Sequence, residues 1–222
     1  IYLMLLKLIA QNPITEGLDY LIEEGNKDKP AVMYITGPYM VAEERNRNNR
    51  IYNLDEMANE VARYNSEFIK QNRALGELEH PQSATINSER ACHMITELRM
   101  EGNIAKGKSR VLSTPTGQIV KSLIQDGVRL GVSSRALGEL YEKGGVNHVK
   151  NMKLITVDVV ADPSAPGAFV NGILESKNFI LSKDGRYEEL YDTFHHKLSS
   201  LPRRDVDSYL REQIIKFING LK

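Results

Sequence analysis

Up to about Phe169 the apolar residues of this chain fall mostly into short alternating or continuous runs, and only twice into the three-to-four spacing of a helix. Residues 2–9, 18–23 and 31–40 are rich in β-branched and aromatic side chains and are separated by Pro13, Gly17 and the polar stretch GNKDKP, which predicts three strands. Asn53 can cap a helix over residues 54 to 71, where Met57, Val61 and Phe68 recur near helical spacing with Tyr64 among them. RALGELEHP reads as a short strand stopped by Pro81, which has no amide hydrogen to give a ladder. Met94, Thr96, Leu98 and Met100 alternate toward one face, the triplet EGN turns, and residues 104–112 return as the second arm of a hairpin. A second helix is predicted over residues 117–126, closed by Gly127 in the left-handed position. GVSSRALGELY and VKNMKLITVDVV flank the turn EKGGVN as two further strands.

Strands this numerous with two helices predict an α+β fold, a mainly antiparallel β-barrel wrapped by helices. Beyond Phe169 the pattern changes. Residues 176–222 mix charged and apolar patches and end in the amphipathic DVDSYLREQIIKFINGLK, so the division expected is a domain over 1–175 and a mostly helical appendage over 176–222. A hydrophobic content of 41% is enough for a core. Lys+Arg and Asp+Glu both number 29, which gives no net positive field to draw the chain to nucleic acid. IYLMLLKLIA is interrupted by Lys7, lacks a cleavage pattern, and is shorter than the about 20 residues a bilayer needs, so no membrane partner is expected. The single Cys92 excludes an internal disulfide. Adjacent side chains diverge, so neither Cys92 with His93 nor His195 with His196 forms a ligand set, and no metal or other cofactor is expected. No GxxxxGK or GxGxxG loop supports a phosphate-binding enzyme.

Three residues carry candidate chemistry. In an alternating strand Val132, Ser134, Ala136 and Gly138 share one small or apolar face, which places Ser133 with Arg135, Leu137 and Glu139 on the other, away from the expected core. A hydroxyl becomes a nucleophile only beside a base and near backbone donors for the developing oxyanion, and Gly131 permits close backbone approach just ahead of it. Spacing alone leaves the pair as ordinary strand serines. His80 precedes Pro81, which holds its backbone extended. An imidazole so held can take a serine proton and return it to a leaving amine; a lone histidine is equally a surface or satisfied core residue. Asp158 stands in an apolar strand, with Leu154, Thr156 and Val160 on its face, and a carboxylate there is costly unless partnered. Its partner is either an imidazole, whose tautomer it would fix, or a lysine or arginine. Glu77 and His148 are rivals for the orienting place. Glu77 falls on the wrong face of an alternating strand, being three residues from His80, and His148 lies beside the GGVN turn.

Taken in order, NRNNRIY, ALGELEHP, GVSSRALG and LITVDVVADPSAP resemble blocks of the prohead core protein proteases of large tailed bacteriophages, over residues 31–170. The resemblance implies a serine endopeptidase that cleaves phage scaffold and major capsid protein precursors inside the assembling procapsid, in the host cytoplasm, and that self-associates. It implies Ser133 as nucleophile, with Ser134 the lesser candidate, His80 as general acid and base, and Asp158 as orienting group. The order His, Ser, acidic residue departs from the three familiar triad orders and resembles the herpesvirus-type assemblins, barrels wrapped by helices whose third member is usually histidine. Ala42, Glu43, Asn46, Arg47, Asn48, Arg50 and Tyr52 resemble the family's AExxNRNxRxY block, read either as a hydrogen-bonded structural loop or as substrate contact. Arg135 and the loop 162–167 are candidates for the oxyanion site. Family members cleave after glutamate in the pattern Leu or Ile, any residue, Glu, which makes Glu175 and Glu212 candidate self-cleavage sites in a zymogen. The alternative function is a catalytically silent scaffold or capsid-assembly protein on the same fold.

Overall fold

Two long hairpins carry the fold, and each follows from its turn. In the computed structural model, which describes residues 6–10, 18–24, 31–46, 48–81, 83–161, 178–181, 187–189, 202, 209 and 211, the chain runs β1 (Leu6–Ala10), β2 (Asp19–Glu23), β3 (Val32–Val41), β4 (Arg50–Tyr52), α1 (Leu54–Tyr64), β5 (Leu75–Glu77), β6 (Ala91–Glu101), β7 (Ile104–Val111), α2 (Pro115–Gln125), β8 (Gly131–Lys143), β9 (Val146–Val160), β10 (Asn178–Leu181) and β11 (Tyr187–Glu189). Gly144 and Gly145 both have positive φ, 62° and 75°. A two-residue hairpin turn with that geometry suits glycine, and it sets the register of β8 on β9.

The described strands form two sheets. One has the order β11-β10-β1-β8-β9-β4 and the other β2-β3-β7-β6-β5. Neighbours are antiparallel except β4, which runs parallel to β9. The fold is α+β as expected, but its described ladders do not close into the expected barrel. Among the described residues the backbone bridge between the sheets is the parallel pair Leu78 to Val159, just past β5. Between the sheets lies the core, built from Met33, Ile35 and Met40 of β3, Ile95 and Leu98 of β6, Val132 and Ala136 of β8, and Val157 and Val159 of β9.

Several sequence expectations shift by local rules. Asn53 caps α1 by accepting the Glu56 amide at 3.1 Å, and Met57, Glu60, Val61 and Tyr64 form its buried face. The predicted helix does not continue regularly: Asn65–Ile69 is a wider π turn. There the Asn65 amide donates to the carbonyls of Val61 at 2.8 Å and Leu98 at 2.6 Å, inserting into the helical ladder. Thr114 caps α2 ahead of Pro115, so that helix starts earlier than the hydrophobic spacing indicated. A register shift between Ile95 and Glu97 breaks the expected single face of β6: Ile95 and Leu98 are buried, while Met94, Thr96 and Met100 are only partly so. Where a mostly helical appendage was expected from 176, the first described residues are the two strands β10 and β11, added to the sheet edge beside β1.

Past β4, the outer edge of β9 is covered by a helix, not a strand. Glu60 of α1 accepts the Leu154 amide at 2.5 Å, and Arg63 donates to the Leu154 carbonyl at 3.0 Å. These side chains satisfy backbone groups that would otherwise be orphaned at a buried edge. The packing at Gly107 of β7 is tighter still. A Cβ at Gly107 would lie 2.3 Å from the Tyr39 ring, and that ring cannot swing freely because its hydroxyl is bonded to the Ile35 carbonyl at 3.0 Å and to Ser109 Oγ at 2.7 Å. Gly107→Ala therefore lowers the unfolding free energy by about 1–3 kcal/mol, read by urea denaturation. Unchanged stability would mean that the Tyr39 pocket is not closed.

Candidate active site

The β8–β9 ladder sets Ser133 directly opposite Asp158 and Arg135 opposite Thr156. Cross-strand partners share a face, so these four residues lie together, while Ser134 faces the other way with Val157. Sequence alternation separated the two serines correctly, yet the face it assigned to the outside is covered. Ser133 is 0% exposed and Ser134 1%. The chain after β5 crosses over that face, where Asp158 is bonded to Glu77 and His80, and Arg135 to Ser83.

That crossing delivers His80. β5 pairs antiparallel with β6 until a register shift between Gly76 and Glu77. The chain then passes to the other sheet, where Leu78 bridges Val159 and Glu79, at φ 65°, donates its amide to the Val159 carbonyl at 2.8 Å. His80 arrives over β9 with Nδ1 2.8 Å from Asp158 Oδ2. Its Nε2 is buried without a hydrogen-bond partner among the described residues.

Asp158 has the imidazole and the cation that were weighed as alternatives. Oδ2 accepts from Arg135 Nε at 3.0 Å as well as facing His80, and Oδ1 accepts from the Glu77 amide at 3.0 Å and Arg135 Nη2 at 3.3 Å. Burial alone would raise its pKa. The His80 hydrogen bond, the Arg135 charge and the Glu77 amide outweigh that and hold the carboxyl below its ordinary range. The rest of the Arg135 fork is engaged too: Nη2 is bonded to Glu77 Oε2, and Nη1 donates to the Ser83 carbonyl at 2.7 Å and the Pro81 carbonyl at 3.4 Å. Arg135 is thus placed behind the Asp158 carboxylate.

Glu77 belongs to the cluster, contrary to the face assigned to it from the sequence. Strict alternation excluded it, and the register shift at Gly76 removes that ground; it partners Arg135 and not His80. A buried glutamate between a glycine and a leucine was the available signal. His148 stacks on Tyr141 with ring centroids 5.2 Å apart, on the turn-proximal half of the hairpin. Asn46 organises its own loop, its Oδ1 accepting the amides of Asn48 at 3.0 Å and Arg50 at 2.9 Å. Arg47, the loop 162–167, Glu175, Glu212, His195 and His196 lie outside the described residues. Among the described residues no group of His, Cys, Asp and Glu is arranged to hold a metal ion.

The comparisons with known proteins assign the class. A family profile described as "Prohead core protein serine protease" matches residues 7–178, and the chain belongs to that family. It is 36% identical over 165 residues to the prohead core protein protease of Enterobacteria phage T4, an alignment spanning 71% of this chain and 77% of the relative. The solved structure of the bacteriophage T4 capsid assembly protease superposes with a TM-score of 0.66 at 28% identity, covering 71% of this chain and 99% of that one.

One neighbour of the cluster was missed as a chemical group. His93 is 0% exposed, and neither ring nitrogen has a hydrogen-bond partner of good geometry. Its ring fills the space over Gly76, where a Cβ would come within 2.0 Å of Nε2. Burial pushes its pKa down to about 4, against the weaker pull of the Asp158 charge and the Val157 carbonyl. An unfolded histidine binds a proton below about pH 6.5, so stability attached to His93 is complete above that value and is lost as pH falls toward about 4. The loss amounts to about 3 kcal/mol. The share held by Asp158 is lost as pH falls through the ordinary carboxylate range and below, at and beyond the acid end of this window. Denaturant titrations at a series of pH values should show this slope, and His93→Gln should flatten it; an equal slope in both proteins would exclude His93 as the cause.

Proposed function

We propose that the chain is a serine endopeptidase in which Ser133 is the nucleophile, His80 the general acid and base, and Asp158 the group that orients His80. The observation that carries this reading is the 2.8 Å contact between His80 Nδ1 and Asp158 Oδ2, with Nε2 unpartnered among the described residues and Ser133 directly opposite Asp158 on the β8–β9 ladder. With Nδ1–H given to the carboxylate, Nε2 is the basic nitrogen. It takes the proton from Ser133 Oγ as the oxygen attacks a peptide carbonyl, and returns it to the leaving amine when the C–N bond breaks. The same steps run with water in place of serine release the acyl group. Asp158 stabilises the imidazolium formed on the way, which requires that it be ionised, and its depressed pKa supports that.

Family membership supports the substrate class: scaffold and major capsid protein precursors enclosed in the assembling procapsid, with self-association of the enzyme. The arrangement is also consistent with a relation to the herpesvirus-type assemblins, with Asp158 where those enzymes usually have histidine. Self-processing after Glu175 or Glu212 would separate the protease from its C-terminal segment.

The decisive experiment incubates the chain with a scaffold precursor. Ser133→Ala should abolish cleavage and keep the fold, Ser134→Ala should stay within a few fold of the parent, and Asp158→Asn should lower kcat by about 10⁴-fold. Cleavage that survives Ser133→Ala would leave the chain as a silent assembly protein or one with another nucleophile. Intact mass of the active preparation should reveal a fragment ending at Glu175 or Glu212 that is absent from Ser133→Ala; an uncleaved chain in the presence of digested scaffold would exclude self-processing.

A further inference from the structure

Arg135 bonds Asp158 on one side and the chain just after His80 on the other. On one side Nε and Nη2 reach the two oxygens of Asp158, at 3.0 and 3.3 Å. On the other, Nη1 reaches the carbonyls of Ser83 at 2.7 Å and Pro81 at 3.4 Å, in the loop that begins with His80. Glu77 is the third point of attachment: it pairs with Nη2, gives its amide to Asp158 at 3.0 Å, and accepts the Asn87 amide at 3.1 Å from the far end of the same loop. We propose that Arg135 and Glu77 are positioning residues, a buried pair that clamps the His80 loop onto Asp158 while Glu77 balances the guanidinium charge, so that the Asp158 anion stays available to the imidazole.

The second half of the proposal follows from counting charges. Arg135 lies against the very oxygen that faces His80, so a guanidinium without its own counterion would neutralise Asp158 and disfavour an imidazolium beside it. With Glu77 present the buried cluster holds one cation and two anions, and protonating His80 brings it to neutrality. Other titratable groups around Asp158 do not enter this balance. Tyr64 on α1 is pushed up to about 12 by burial, Cys92 on β6 is pushed up by burial, and His93 is pushed down to about 4 by burial. All three stay uncharged at neutral pH. Arg90 stands 3.9 Å from Glu77, on the solvent side.

The inference rests on the catalytic reading above, and its test separates the two. Arg135→Lys keeps the charge but loses the fork, so kcat should fall by about 10²-fold, the scale of a small misplacement of a catalytic group. KM and the acid limb of kcat/KM should stay near the parent values. Glu77→Gln removes one anion, so the acid limb should move to lower pH. Independently of turnover, the Ser133→Ala chain should show the far-downfield proton resonance of the His80 Nδ1–H bonded to Asp158, and adding Arg135→Lys should broaden or abolish it. Parent-like kcat in Arg135→Lys with the resonance retained would overturn the clamp. An unmoved acid limb in Glu77→Gln would overturn the charge balance. If Ser133→Ala still cleaves, the catalytic reading fails, while the resonance continues to report on Arg135.

Discussion

A guanidinium with 0% exposure is the constraint on which the rest of this structure turns. Removing Arg135 from water costs several kcal/mol and is tolerated only if its donors find acceptors and its charge finds counter-charges. Those acceptors come from two stretches far apart in sequence: Glu77 at the end of β5 with the carbonyls of Pro81 and Ser83 just after it, and Asp158 on β9. The chain after β5 must therefore leave one sheet and lie down on the other. An attraction of about 4 kcal/mol for a unit pair at 4 Å near a protein surface is comparable with the desolvation it offsets. The cluster accordingly adds little net stability, and what it contributes is position.

The strand that receives this crossing is organised to allow it. β9 has a succession of outer neighbours along its length: β4 in parallel register at Asn147, His148 and Val149, then the Glu60 and Arg63 side chains at Leu154, then the Leu75 carbonyl accepting from Thr156 Oγ1 at 2.7 Å and the bridge from Leu78 to Val159. A continuous partner strand would satisfy the same edge but would leave no room for His80 to reach Asp158. Changing partners along one strand opens that place without orphaning backbone groups.

Much of the site was legible because its central ladder is regular. From Gly131 to Arg135 and from Thr156 to Val160 the strands pair residue for residue, so period two alone separated Ser133 from Ser134 and put Asp158 on an apolar strand in need of a partner. The tight Gly144–Gly145 turn and the Asn53 cap were legible for the same reason, being local chemistry. What could not be read was tertiary. Nothing in ALGELEHP tells that Gly76 and Glu77 straddle a register shift, so Glu77 was placed on the wrong face. Nor does a local rule state that Arg135 would be buried, since arginine in a strand is ordinarily a solvated residue. Sheet closure is likewise a long-range property: counting strands suggested a barrel, whereas the pairing among the described residues gives two sheets linked by the Leu78–Val159 bridge.

Departures from period two gather just ahead of His80. Within four residues the chain has a register shift at Gly76, a partner change at Leu78 and a left-handed glutamate at position 79, where an L-residue with a Cβ costs about 1–2 kcal/mol. Glycine would relieve that strain and would also free the backbone just ahead of His80. Glutamate instead returns part of the cost through its side chain, whose Oε1 accepts the Ala161 amide at 3.1 Å, while its own amide holds Val159. Both bonds tie the residue before His80 to the chain on either side of Val160, one and three residues beyond Asp158. The strain is therefore retained at the one step where rigidity matters, between the strand that brings the histidine and the strand that holds its partner.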